Sequence, residues 1–236
     1  MTTPLNGASA GRVAIVTGGS RGVGRATVDS LAARGYSVVV NYLHDQRAAE
    51  STVETILAGR GTAMAVRADV ADDLDVQRLF AETIEAFGCV DVVVHTVDGR
   101  IASTPVAEVD LDEFDAVYRL NTRAALIVNR EAARRLRKGG AIVNLSSSTV
   151  DLASPTHGAY AVSKAATDVL IRVLAVELRN RDIAVNAVSL DIDRPCEPNR
   201  IADTIAHLLS AGGRRLTGHM IRIGEPFWER PPTTST

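Results

Sequence analysis

Residues 12–24 read RVAIVTGGSRGVG, a run of branched apolar side chains that leads directly into a glycine-rich corner. The apolar run is typical of a buried strand, and a helical pattern over residues 22–34 follows it. Glycines at such a corner let the backbone approach a ligand closely, and the free N–H groups at a helix start favour negative charge. The stretch therefore predicts a strand, a turn and a helix whose junction binds a pyrophosphate, with an unliganded structural turn as the alternative.

The same order of apolar strand and helix repeats along the rest of the chain. Further strands are predicted at residues 37–42, 91–96, 141–146, 183–188 and 220–224, with a weaker one beginning at residue 62. Further helices are predicted at residues 45–57, 72–87, about 111–138, about 157–179 and about 200–210. Near-continuous apolar strands that alternate with helices are typical of a parallel sheet covered on both faces. We therefore predict an α/β, three-layer, doubly wound Rossmann-type fold with a seven-stranded parallel sheet.

The bulk composition is that of an ordinary globular protein. With 236 residues, 46% of them hydrophobic, and a net charge of -2, the chain is expected to form one domain over residues 1–236, with frayed tails at about 1–10 and 229–236. The charge balance provides no basic field for nucleic acid, and no apolar run is long enough to span a membrane, so we expect a cytoplasmic protein without either partner. Cys89 and Cys196 lack the spacing of a zinc site or a disulfide framework, so two reduced thiols and no metal are expected.

The predicted helix at about 157–179 is apolar around its whole circumference. Its apolar side chains stand at positions 162, 165, 166, 169, 170, 173, 174 and 176. One side is expected to face the sheet and the other a partner subunit, in a homodimer or homotetramer. A helix buried inside a monomer is the alternative interpretation.

A tyrosine and a lysine stand four residues apart in the same helix, at Tyr160 and Lys164. This spacing places both side chains on one face. The ordinary pKa of a phenol is about 10, and a nearby ammonium stabilises the phenolate, which makes the phenol a usable general acid or base. Such a pair also occurs by chance as a packing pair. The serine run 146–148 favours the chemical interpretation, because it ends a predicted strand, where ligands of open α/β sheets bind.

The spacing TGxxxGxG at residues 17–24 and the YxxxK pair resemble the short-chain dehydrogenase/reductase family. Asn121 and Ser147, which lies thirteen residues before Tyr160, match further positions of that family in the expected order. The resemblance implies an oxidoreductase in which Tyr160 is the proton donor and Ser147, or Ser146 as the fallback, orients a carbonyl oxygen. It also implies that Lys164 lowers the pKa of Tyr160 and binds the nicotinamide ribose, and that Asn121 supports a water of the proton relay.

The end of the second strand is expected to select the cofactor, because an acidic side chain there would bind the ribose 2′-hydroxyl and repel a 2′-phosphate. The strand ends in Asn41 and Tyr42, and Arg21 could pair with a phosphate, so NADP(H) is favoured over NAD(H). A solvated surface charge is the alternative for Arg21. Asp69 matches the family position that contacts the adenine, and a helix N-cap is its alternative. The predicted cofactor-binding residues are Gly18, Ser20, Arg21, Gly22, Val23, Gly24, Asn41, Tyr42, Asp69, Val70, Tyr160 and Lys164.

Three segments depart from the family pattern. Residues 95–98 read HTVD in place of NNAG, so a glycine that gives room for close backbone approach is missing and Asp98 brings a carboxylate toward the cofactor. We interpret His95 as a strand-end side chain satisfied by hydrogen bonds. Leu190 and Asp191 replace a Pro-Gly pair after the sixth strand, and only residues 192–199 stand where the family inserts a substrate lid. A shallow or open pocket is expected.

The leading hypothesis is NADPH-dependent reduction of a ketone or a 3-oxoacyl-type carbonyl to a secondary alcohol, similar to 3-oxoacyl-acyl carrier protein reductases. The substrate would be a small molecule or carried by an acyl carrier. Two alternatives remain: the same chemistry in reverse, as alcohol oxidation, and a non-catalytic NADP(H)-binding or partner subunit of the same fold.

Overall fold

The computed structural model describes residues 11–100, 102–152, 155–191 and 196–223. The predicted tails at 1–10 and 229–236 lie outside these ranges, as does the first half of the short segment expected at 192–199.

Within the described residues, seven parallel strands form one sheet, as predicted. They run in the order β3-β2-β1-β4-β5-β6-β7. The order reverses between β1 and β4, and ligands of open α/β sheets bind outside the carboxyl ends of the strands at such a reversal. The strands are β1 (Val13–Thr17), β2 (Ser37–Tyr42), β3 (Thr62–Arg67), β4 (Val92–His95), β5 (Ala141–Ser147), β6 (Ala184–Leu190) and β7 (Met220–Ile223).

Helices cover both faces of the sheet. Phe80, Val128 and Ile171 belong to the core on one face, and Leu31 and Ile205 to the core on the other, so the three-layer prediction is confirmed. The helices are α1 (Gly22–Ala33), α2 (Gln46–Ala58), α3 (Asp73–Phe87), α4 (Leu111–Tyr118), α5 (Ala124–Arg135), α6 (Thr149–Leu152), α7 (Gly158–Glu177) and α8 (Pro198–Leu209).

The helix predicted at about 111–138 has a different internal structure. A π-helical turn, Arg119–Arg123, separates α4 from α5, and the helix ends at Arg135. Within the π-helical turn, the only buried residue is Asn121. The widened turn inserts one extra residue into the helical repeat, and such turns are frequent at functional sites. No residue type marks it, so the apolar periodicity could not reveal it.

Helix α7 buries one side and exposes the other. Ile171 is fully buried against the sheet, whereas Val162, Val169 and Val176 are 55%, 52% and 64% exposed. The alternative of a helix enclosed within a monomer is therefore wrong. A shallow cavity of 310 Å³ lies between the exposed faces of α5 and α7, and Leu126 and Val169 line it. Within the described residues, no helix combines the length and the apolarity that crossing a membrane requires.

Candidate active site

The turn between β1 and α1 has the open backbone geometry that its glycines predict. Gly18 and Gly22 have positive φ angles of 66° and 52°. A Cβ on Gly24 would lie 2.1 Å from the Gly18 carbonyl oxygen, so only glycine permits this close approach. A Cβ on Gly22 would meet no atom within 4 Å, which shows that the outer side of the turn faces open space. The start of α1 is thus accessible to an anionic group.

A cleft of 430 Å³ runs from this turn along the carboxyl ends of β2, β3 and β4. Its volume and its position at the reversal of strand order fit a dinucleotide. Gly22, Val23 and Gly24 do not line it, and Val23 packs against the core instead. The predicted cofactor-binding residues that do line it are Gly18, Ser20, Arg21, Asn41, Tyr42, Asp69 and Val70.

The buried amide of Asn41, at the end of β2, has a structural role, whereas other residues of the cleft are exposed. Asn41 is buried, donates a 3.0 Å hydrogen bond to the Ala68 carbonyl and accepts one of 3.4 Å from the Gly18 N–H. Its side chain therefore braces the glycine turn against β3. Arg21 and His44 are exposed in the same cleft. His44 was missed by the sequence analysis, because a lone histidine after a strand carries no motif.

Asp69 lies in the cleft wall, with its carboxylate already engaged. Its oxygens accept from the Ala71 N–H at 2.9 Å and from the Arg119 guanidinium at 2.9 Å. The N-cap of α3 is Asp72, whose side chain accepts from the Asp75 N–H. The alternative interpretation of Asp69 as an N-cap is therefore wrong.

A second, smaller cavity adjoins the cleft, and Asp98 lines both. Ser147, Tyr160 and Lys164 all line this second cavity. Ser147 reaches it from the end of β5, while Tyr160 and Lys164 lie one turn apart on α7 and are both buried. The fold thus brings together the predicted serine, tyrosine and lysine.

The Asp98 carboxylate binds both the tyrosine and the lysine. The Tyr160 hydroxyl donates to its two oxygens at 3.0 and 3.2 Å, and Lys164 Nζ lies 2.8 Å from Oδ1. Burial raises the pKa of Tyr160 well above its ordinary value, and the charge and hydrogen bond of Asp98 raise it further, whereas a hydrogen bond with Ser147 lowers it. The lowered pKa expected from Lys164 is therefore wrong for this arrangement, because the carboxylate offsets the ammonium.

Asn121 holds the chain next to Asp98. Its amide accepts from the Gly99 N–H at 2.7 Å and donates to the Gly99 carbonyl at 2.8 Å, and it also donates to Ser163 Oγ at 3.0 Å. A Cβ on Gly99 would lie 2.8 Å from Leu120 Cδ2. Gly99 thus packs against Leu120 and lines neither cavity, whereas Asp98 stands at the position expected for the family glycine, so the loss of room for close approach to the cofactor stays a prediction.

The serine run divides into distinct environments. Ser147 Oγ accepts from the Thr149 N–H at 3.3 Å and from the Thr149 hydroxyl at 3.0 Å, and it lines the cavity beside Tyr160. Ser146 instead donates to Asp168 at 2.5 Å. This engagement of Ser146 supports Ser147 as the hydroxyl that faces Tyr160.

His95 is a buried neutral side chain at the end of β4. Its Nδ1 lies 2.9 Å from the Thr17 hydroxyl, and Nε2 has no hydrogen-bond partner among the described residues. Burial, with a contribution from the Lys164 charge, lowers the pKa of His95 to about 3. His95 is therefore uncharged near neutral pH and supplies no cation to the site.

The parallel sheet, the open glycine turn and the adjoining Ser, Tyr and Lys side chains define a dinucleotide-binding α/β protein with a candidate acid-base site. Known proteins agree with this class. The family profile described as enoyl-(acyl carrier protein) reductase matches residues 18–192. Versicolorin reductase 1 of Aspergillus parasiticus is 42% identical over 180 residues, which cover 76% of this chain and 68% of that protein.

Solved structures give the same result. A dehydrogenase/reductase from Sinorhizobium meliloti superimposes with a TM-score of 0.85 at 33% identity, over 91% of this chain and 94% of that one. A short-chain dehydrogenase from Burkholderia cenocepacia in complex with NADP has a TM-score of 0.84 at 30% identity, over 90% and 96% of the two chains. The chain belongs to the short-chain dehydrogenase/reductase family and is an oxidoreductase.

Proposed function

We propose that the protein catalyses NADP(H)-dependent reduction of a ketone to a secondary alcohol. The observation that carries this proposal is the meeting of Ser147, Tyr160 and Lys164 in one cavity beside the dinucleotide cleft. Hydroxyl, phenol and ammonium groups together suit a carbonyl oxygen that gains negative charge and then a proton.

The cleft supports NADP(H) as the cofactor, which supplies hydride when it is bound. The glycine turn and the start of α1 would hold the pyrophosphate, through backbone N–H groups between Ser20 and the first turn of the helix. Arg21 and His44 would bind the 2′-phosphate, since both are exposed in the cleft and no carboxylate ends β2. The relative from Burkholderia cenocepacia was crystallised with NADP.

Each polar side chain of the smaller cavity has a role in proton transfer. Tyr160 would give its proton to the substrate oxygen, and Ser147 would orient that oxygen, since both hydroxyls line the same cavity. Lys164 would stabilise the resulting phenolate and hold a ribose hydroxyl. Asn121 would fix the backbone at Gly99 and support the water that returns a proton.

A ring ketone is the first substrate class to test, with 3-oxoacyl thioesters as the second. The similar Aspergillus parasiticus protein is named for the reduction of versicolorin, and the matching family profile is named for an acyl carrier protein substrate. The direction of reaction in the cell depends on the concentrations of substrate, product and cofactor.

The proposal is tested by titrating NADPH and NADH by fluorescence and then assaying cyclic ketones and 3-oxoacyl thioesters with wild type and Tyr160→Phe. We expect tighter binding of NADPH and a ketone turned over only by wild type. Binding of NADPH without turnover across the panel would support the non-catalytic alternative. Tighter binding of NADH would refute the assignment of Arg21.

We also propose a homodimer or homotetramer that covers the exposed face of α7. Val162, Val169 and Val176 form an apolar surface there, and burying it would be favourable. Light scattering should give a multiple of the 25.0 kDa chain mass. Val169→Glu should reduce that mass, whereas Leu74→Glu, at a more exposed apolar position on α3, should leave it unchanged. A monomeric wild type would contradict this assembly.

A further inference from the structure

Asp98 is the one carboxylate that contacts Tyr160 and Lys164 among the described residues. It lies in the segment after β4, and its side chain is 26% exposed, whereas that of Lys164 is 3% exposed. Its second oxygen lies 3.6 Å from Arg100 Nε, and the Arg100 side chain is 65% exposed. The carboxylate thus touches a buried cation and a solvated cation at once.

The bond from Tyr160 to Asp98 competes directly with the proposed chemistry. A phenol has a single O–H to donate. Because that hydrogen points at Asp98, it cannot at the same time be donated to a substrate carbonyl. Lys164 has three N–H donors, of which one is directed at Asp98. A ligand that takes the Tyr160 proton must first displace the carboxylate, and a ligand on Lys164 shares the ammonium with it.

The other charged groups around Asp98 do not replace it. Tyr160 and Lys164 face it from α7, and Arg100 faces it from its own segment. Asp191, at the end of β6, lines the same cavity. His95, at the end of β4, is neutral. Asp98 therefore supplies the negative charge that pairs with Lys164, and it opposes formation of a phenolate on Tyr160.

Arg100 offers Asp98 an alternative partner. A rotation of the Asp98 side chain toward this exposed guanidinium would keep the carboxylate paired while it frees the phenol and the ammonium. An ion pair at the surface is weak and exchanges readily with water, so it suits a partner that is engaged only when the site is occupied.

We propose that Asp98 is an internal competitor for the proton site, which holds Tyr160 and Lys164 until cofactor and substrate displace it toward Arg100. The proposal rests on the proposed NADP(H)-dependent function and adds a positioning residue to it. Asp98 thereby weakens cofactor binding and couples release of the Tyr160 proton donor to occupation of the site.

Two measurements test this role without turnover. The first is NADPH affinity by fluorescence titration of wild type, Asp98→Ala, Asp98→Asn and Arg100→Gln. We expect Asp98→Ala to bind NADPH about tenfold more tightly. The Asp98–Lys164 ion pair no longer competes with the cofactor in this variant, and one hydrogen-bonded charged pair is worth about that factor in affinity. Asp98→Asn should show a smaller gain, and Arg100→Gln should bind more weakly than wild type. The matched control is Asp203→Ala. Asp203 lies on α8 and is an exposed ion-pair partner of Arg34, so this variant should bind NADPH as wild type does.

The second measurement is the ultraviolet absorbance of tyrosinate as a function of pH in protein without added cofactor. Subtracting the curve of the same background carrying Tyr160→Phe isolates Tyr160 from the other three tyrosines. Loss of Asp98 should move ionisation of Tyr160 to lower pH by about one unit. Asp98→Asn serves this experiment if Asp98→Ala leaves Lys164 too poorly paired to fold.

The outcomes separate the two proposals. Equal NADPH affinity and equal Tyr160 ionisation in wild type and the Asp98 variants would overturn the role of Asp98. If neither wild type nor any variant binds NADPH, the proposed cofactor is wrong, and the tyrosinate curve then decides by itself whether Asp98 controls the phenol.

Discussion

The turn after β1 and the segment after β4 lie side by side at the carboxyl edge of the sheet, yet they meet a ligand in different ways. The first presents backbone: Gly18 and Gly22 adopt positive φ, and the start of α1 stays open. The second presents charge: the Asp98 carboxylate occupies Tyr160 and Lys164. Nucleotide binding and proton transfer therefore depend on separate physical features, and substitutions should separate them.

Removing the phenol should have the largest effect and should fall on the chemistry alone. Tyr160→Phe keeps the ring but loses the proton donor, so the reduction rate should fall by about 100- to 10,000-fold. NADPH affinity should keep its order of magnitude, because the glycine turn is unchanged. Single-turnover kinetics with a substrate from the ketone panel measure the first quantity and fluorescence titration the second.

The control for this variant is Tyr36→Phe, which removes a phenol that lines neither cavity. It should react at the wild-type rate. If Tyr160→Phe keeps more than about a tenth of the wild-type rate, a side chain other than Tyr160 donates the proton.

Adding one methyl group to the glycine turn should have the next largest effect, on binding and stability together. Gly24→Ala places a Cβ 2.1 Å from the Gly18 carbonyl oxygen and 2.8 Å from the Thr96 hydroxyl. The turn must shift, at a cost of about 1–3 kcal/mol in the free energy of unfolding. Denaturant unfolding and NADPH titration should both show the loss.

Gly59→Ala is the matched control for Gly24→Ala. Its Cβ would lie 3.4 Å from the nearest atom, an ordinary contact, and Gly59 has a negative φ of -78°. Stability and NADPH affinity close to wild type are expected. An unaffected Gly24→Ala variant would show that the close approach at this turn is not required.

The two segments also differ in how far the sequence predicts them. Strand and helix bounds agree with the structure to within two residues for most elements, because apolar periodicity and the glycine corner are local features. The site residues Ser147, Tyr160 and Lys164 converge because β5 and α7 are adjacent in the fold. Their roles in catalysis stay predictions.

The contact between Asp98 and Tyr160 could not be predicted from local sequence features. Asp98 was recognised as a carboxylate near the cofactor, but Tyr160 is 62 positions away, and only the tertiary fold brings the two side chains together. The sequence also gives no signal for the π-helical turn at Arg119–Arg123 or for the hydrogen bonds between Asn121 and Gly99. Both depend on backbone geometry that no residue type specifies.

Removing the exposed Arg21 guanidinium from the glycine turn should change the preference for NADPH over NADH and leave the fold intact. Arg21→Ala removes a guanidinium that lines the cleft at the proposed 2′-phosphate position. NADPH binding should weaken about tenfold, the usual scale of one charge-assisted contact, while NADH binding changes little. Fluorescence titration with both cofactors gives the ratio. Equal weakening for the two would place Arg21 away from the 2′-phosphate.

The smallest effect should come from His95, where the segment after β4 begins, and it should appear only as a dependence on pH. The pKa of His95 is lowered to about 3 by burial, whereas an unfolded histidine titrates near 6.5. The unfolded chain therefore binds the extra proton first as the pH falls, so folding stability is lost on acidification below about 6.5. This contribution amounts to about 1 kcal/mol between pH 6.5 and pH 5.5.

His95→Asn should remove that part of the pH slope and keep a hydrogen-bonding group beside the Thr17 hydroxyl, whatever the change in absolute stability. His44→Asn, at an exposed position of the cleft, should keep the wild-type slope because His44 lies outside the core. Urea unfolding of the three proteins at a series of pH values between 5.5 and 7.5 measures the difference. If the free energy of unfolding changes with pH equally in wild type and His95→Asn, His95 is charged or solvated in the folded protein. A charged His95 would add a second cation near Lys164 at the end of β4.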